Sequence, residues 1–145
     1  MTSHHFGWLF WAVLAAGFAA LTAIFAKVGV EAINSNFATF LRTLVILAIV
    51  AGILVVTKQA QPLGSISPRS YIFLTLSGLA TGASWLCYFR ALQLGEAARV
   101  APIDKLSTVL VAIFGVAFLG EWLTGMNWLG IALIAVGTML VALRF

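Results

Sequence analysis

The sequence predicts an all-α membrane protein, one domain over residues 1–145 with five transmembrane helices. Three observations predict it. First, 63% of the 145 residues are hydrophobic, and the only charges are eight Lys/Arg and four Asp/Glu. A soluble domain is about 25% charged, so these few charges cannot cover the surface of a water-soluble globule. Second, five apolar segments have roughly the 20 residues that a helix needs to cross a bilayer. Third, turn-forming residues punctuate the segments. A disordered chain is excluded by the low polarity and charge.

The first span covers 6–26 and holds no charge. A cleaved signal peptide fits it poorly, because no basic n-region precedes it and it exceeds the usual apolar core. Trp8 and Trp11 suit the interfacial aromatic belt, as do Trp122 and Trp128. Asn34-Ser35-Asn36 is set to cap the second span, 37–57, which contains Arg42. The longest loop follows, with Pro62 and Pro68. The third span, 71–94, contains Arg90 and is closed by Gly95. The fourth, 100–120, contains Asp104 and Lys105 and ends at Gly120-Glu121; the fifth, 122–143, is uncharged. Pro102 leaves two readings of the fourth span. Either the helix starts near Ala97 and is kinked by the proline, or it starts near Ile103, with Asp104 at the positive end of its dipole.

Five crossings put the termini on opposite sides. Lys27, Arg99 and Arg144 lie on one side and Lys58 and Arg69 on the other. So slight a bias allows insertion in both orientations. The net charge of +4 is spread singly along the chain rather than gathered in a dense basic patch, so the expected partners are membrane lipids and no nucleic acid. Cys87 stands alone and forms no intrachain disulfide.

The polar groups inside the spans are the candidate site. Ser77, Thr81, Ser84 and Tyr88 follow a 4-3-4 spacing and share one face of the third span, beside Gly78, Gly82, Trp85 and Phe89. Gly78 and Gly82 form a GxxxG pair, which permits close approach of another helix. Asp104, Ser107 and Thr108 share a face of the fourth span. Trp11, Phe18 and Thr22 fall on a stripe of the first. Arg42, Arg90 and Lys105 form a charge-selecting rim at one membrane face. Two readings stand beside each other: a polar vestibule leading to a cavity, or long side chains that snorkel to headgroups and hydroxyls that bond between helices. No metal-ligand cluster, cofactor motif or nucleophile with a base occurs, so neither an enzyme nor a cofactor is expected. The adjacent His4 and His5 read as solvated.

Residues 77–124, SGLATGASWLCYFRALQLGEAARVAPIDKLSTVLVAIFGVAFLGEWLT, resemble the second half of an EamA-like domain. LTAIFAKVGV at 21–30 and FATFLRTLVIL at 37–47 are similar to its first half. YFRALQLGEA and VAPIDKLS are its most specific stretches. The resemblance is to the short, single-domain EamA-like proteins of the drug/metabolite transporter superfamily. It implies half of a ten-helix transporter, completed as an antiparallel homodimer around a small-molecule substrate, in a prokaryotic inner or plasma membrane. Two departures stand out. Trp122 occupies the place where relatives usually carry proline. The first span also lacks the carboxylate that four-helix relatives use for protons, which leaves Asp104 as the acidic residue inside a span. The resemblance implies alternating access by a secondary transporter for a metabolite or drug. The alternatives are a flippase for a lipid-linked metabolite and a non-transporting membrane subunit.

Overall fold

A computed structural model describes residues 4–143, with side chains from Gly7 onward. The side chains of His4 and His5, and Arg144, lie outside the described residues. The elements in chain order are α1 (His4–Gly29), α2 (Ser35–Thr57), a short 3-10 turn (Leu63–Ser65), α3 (Pro68–Leu94), α4 (Ala97–Asp104), α5 (Leu106–Leu119) and α6 (Gly125–Ala142). Five stretches are long and apolar enough to cross a membrane: Gly7–Gly29, Ser35–Thr57, Pro68–Leu94, Ala97–Leu119 and Gly125–Ala142.

Side-chain caps decide where several helices begin. The Asn34 side chain accepts from the backbone N–H of Asn36 at 2.9 Å and of Phe37 at 3.4 Å, so α2 starts at Ser35. The Ser67 hydroxyl accepts from the Ser70 N–H at 3.1 Å, and Pro68 takes the first helical position. Proline is suited there because that N–H has no intrahelical partner. Thr124 caps α6 by accepting from Asn127 N–H at 3.3 Å, so the fifth span begins at Gly125 rather than at Trp122. Trp122 instead stands 96% exposed in the connecting segment.

A glycine sets the end of α5. Gly120, at φ 69°, closes α5, and the N–H of Glu121 donates to the Gly115 carbonyl at 3.1 Å. A Cβ on Gly115 would lie 2.5 Å from Glu121 Oε2, so a side chain there would displace that carboxylate. Gly95 follows the last residue of α3 but does so without a positive φ.

The chain divides into two units, each described by itself. One runs from Phe25 to Gln93; the other joins the residues up to Ile24 with those from Leu94 on. In the Phe25–Gln93 unit the buried side chains sit at one end. Val30 and Leu92 are fully buried, Phe89 nearly so, and Ser35, Ala38 and Thr39 lie with them among the buried residues. Thr39 and Thr43 satisfy their hydroxyls on the carbonyls of Ser35 and Thr39, at 2.9 and 2.8 Å. Away from that end, α2 from Leu47 on and the first half of α3 turn apolar side chains outward. That is the pattern of helices solvated by lipid, with every helical backbone group satisfied internally. In the other unit α4 and α5 both pack on α6. A Cβ at Gly78 or Gly82 would meet nothing within 4 Å among the described residues.

Candidate functional site

The candidate residues are divided between the two units. In the Phe25–Gln93 unit, α2 carries Arg42 seven residues past its start, about 10 Å along the helix axis. The guanidinium carbon lies 4.3 Å from the ring centroid of Trp85 and 5.5 Å from that of Phe89. Trp85 and Phe89 are four residues apart on α3, so their rings share one face. Tyr88 adjoins them, near enough to interact electrostatically with the guanidinium. Tyr88, Trp85 and Arg42 are each half-buried, whereas Ser77, Thr81 and Ser84 are exposed along α3.

Arg90 sits differently from Arg42. Its Nη1 donates to Gln93 Oε1 at 2.8 Å, and the Gln93 amide donates to the carbonyls of Ile33 at 3.0 Å and Val30 at 3.4 Å. Lys27 Nζ donates to the Leu92 carbonyl at 2.9 Å. These bonds satisfy carbonyls at and just beyond the ends of α1 and α3, which have no partner inside their own helices. A lysine there also faces the negative end of the helix dipole. Arg90 and Lys27 are thus engaged in holding helix ends, a role that sequence reasoning missed. The signal available for it was the placement of both groups beside chain segments that leave a helix.

In the other unit the fourth span is broken. α4 begins at Ala97 and carries Pro102 inside it, so the first of the two sequence readings is the observed one. Asp104 is the last residue of α4, not the first of a helix. Proline lacks the N–H for the usual bond to residue 98 and crowds that carbonyl. The regular pattern then fails at Lys105, whose N–H donates to the Pro102 carbonyl at 2.9 Å in a tighter turn. Lys105 Nζ lies 3.4 Å from Asp104 Oδ2. Ser107 and Thr108 follow in the first turn of α5 and are exposed. Arg99 pairs with Glu96 at 3.6 Å, one turn apart at the start of α4.

The aromatic stripe lies on α1. Trp11 meets the Phe10 ring edge-on at 5.5 Å between centroids, and Thr22 is half-buried. Phe18 lines an apolar groove of about 500 Å³ along α1, with Phe10, Val13, Leu14, Gly17 and Leu21. A second depression, about 430 Å³, lies at the α5–α6 connection around Glu121, Trp122 and Trp128.

The sequence matches the EamA-like transporter family over residues 6–143. The chain belongs to this family. It is also 66% identical over 135 residues to a protein of a Sinorhizobium species named "Uncharacterized transporter in cobO 3'region", covering 93% of this chain and 96% of that protein. No solved structure matches the chain. As an EamA-like protein with five apolar spans, it is a multi-pass membrane protein whose family points to transport rather than catalysis. Family membership gives the intramembrane polar groups a context, since ionisable residues in spans cost roughly 2.5–3.5 kcal/mol on insertion scales and tend to mark solute or ion pathways.

Proposed function

We propose that this EamA-like protein is a secondary transporter for a small organic metabolite or drug in a prokaryotic cell membrane. Two copies in opposite orientation form the working unit and expose a midplane site alternately to each side. The observation that carries this reading is the family match, which spans nearly the whole chain. The broken fourth span supports it, because interrupted helices free backbone groups where transporters hold their solutes. In this reading Trp11, Phe18 and Thr22, the Ser77–Thr81–Ser84–Tyr88 stripe, and Asp104 with Ser107 and Thr108 line the solute path. Arg42, Arg90 and Lys105 select charge at its mouth. Asp104 takes up the coupling proton or cation.

The test is uptake of a panel of labelled metabolites and dyes into liposomes containing the purified protein, with and without a proton gradient. Uptake above that of empty liposomes, lost in Asp104→Asn, is the expected result. Normal gradient-driven uptake in Asp104→Asn removes Asp104 from the mechanism, and no uptake of any compound overturns the transporter reading. Tags on both termini, probed from outside the cell, report orientation; a single orientation overturns the antiparallel arrangement.

A further inference from the structure

The three basic side chains that face the buried end of the Phe25–Gln93 unit are not equivalent. Lys27 and Arg90 place their donors on the Leu92 carbonyl and on Gln93. Arg42 makes neither a hydrogen bond nor an ion pair with any described residue; its contacts are the faces of Trp85 and Phe89. With its guanidinium carbon over two rings and no hydrogen bond to a described residue, Arg42 keeps its N–H donors, arranged as a planar fork, available to a ligand. That fork matches a carboxylate or phosphate in bidentate fashion.

The surroundings favour an anion over a cation. Near that end the unit carries Lys27, Arg42 and Arg90 against one carboxylate, Glu31, and Glu31 forms no ion pair within the unit. Arg42 is half-buried and about two turns inside α2, where low dielectric strengthens any pairing and an arginine without a counter-ion is costly. The rings hold the side chain in place before a ligand arrives, which lowers the ordering cost of binding.

We infer that Arg42, seated on Trp85 and Phe89 beside Tyr88, is an intramembrane site for an oxyanion, a carboxylate or phosphate group. This deepens the transporter reading, on which it rests, by giving the solute an anionic class. The same chemistry is offered by a lipid headgroup and by a soluble anion, and the experiment separates them.

Trp85 serves as the reporter, in protein whose Trp8, Trp11, Trp122 and Trp128 are replaced by Phe. In maltoside micelles at constant ionic strength, acetate, inorganic phosphate and phosphatidylglycerol are titrated separately against chloride. A saturable change in Trp85 emission is expected with at least one of them. Arg42→Gln weakens it tenfold or more, and Arg42→Lys weakens it as well, because an ammonium has no planar fork. Saturation by acetate or phosphate identifies a soluble anion; saturation by phosphatidylglycerol alone identifies the headgroup. The inference is overturned if none of the three saturates, or if affinity is unchanged in Arg42→Gln. Where Arg42→Gln does not yield folded protein, unchanged affinity in Arg42→Lys overturns the fork. The assay reads binding alone: liposome uptake with no oxyanion response overturns this inference and leaves the transporter reading standing.

Discussion

Replacing Lys27 by Met removes one of the bonds that fasten the end of α1 to the end of α3. The lysine reaches the Leu92 carbonyl at 2.9 Å, and Gln93 returns to the carbonyls of Ile33 and Val30. A hydrogen bond to a charged group contributes about 1.5–3 kcal/mol. A cation at a helix C-terminus adds roughly 0.3–1 kcal/mol, while the partial burial of the ammonium offsets some of the total. A net loss of about 2 kcal/mol is expected for Lys27→Met. Gln93→Leu breaks three bonds, the two neutral ones that its amide donates to the carbonyls of Ile33 and Val30 and the charge-assisted one it accepts from the solvent-exposed Arg90, and a loss of about 2 kcal/mol is expected. Because both side chains fasten the same pair of helix ends, the double variant falls short of the sum by about 0.5 kcal/mol or more. Equilibrium unfolding in mixed micelles of dodecyl sulfate and maltoside measures all three. Lys27→Arg, which keeps the charge and a donor, recovers most of the loss. A Lys27→Met protein within about 0.5 kcal/mol of the parent, or strict additivity in the double variant, refutes the reasoning.

Two further outcomes follow from the helix termini and the helix break. Asn34→Ala leaves the N–H groups of Asn36 and Phe37 without their cap and lowers stability by about 1 kcal/mol in the same unfolding assay. Pro102→Ala supplies the missing donor to the Ala98 carbonyl; hydrogen exchange at residues 102–106 slows, stability rises by about 1 kcal/mol or more, and liposome uptake falls.

The five spans were legible because membrane insertion depends on length and apolarity, two quantities a sequence displays directly. Helix starts were legible where a cap residue is diagnostic, as at Asn34, and shifted where the cap lies outside the apolar run, as at Ser67 and Thr124. The polar stripes were legible as periodicity, because spacing alone places Ser77, Thr81, Ser84 and Tyr88 on one face. What each charge touches was not legible. Arg42 and Arg90 look alike as single arginines in apolar runs, yet one rests on two rings and the other bonds to Gln93. That difference depends on which helix faces which, and no local pattern encodes it. Trp85 and Phe89 were visible as an aromatic pair one helical turn apart, but their role needed the neighbouring helix. A fault in the fourth span was foreseeable from Pro102, although the residue where regular bonding fails, Lys105, was not.

The break at Lys105 bears on how the chain enters the membrane in the first place. α4 has 8 residues and α5 has 14, so they rise about 12 Å and about 21 Å. Neither crosses a hydrocarbon core of about 30 Å by itself. α4 also brings Arg99 and Asp104, which oppose partition into lipid, while α5 is wholly apolar apart from Ser107 and Thr108. Because α4 and α5 both pack on α6, the weak half of the fourth span gains its partner only after the fifth has been synthesised. The two spans are then expected to enter the bilayer together as a helical hairpin, which makes the order of synthesis part of how the protein is built.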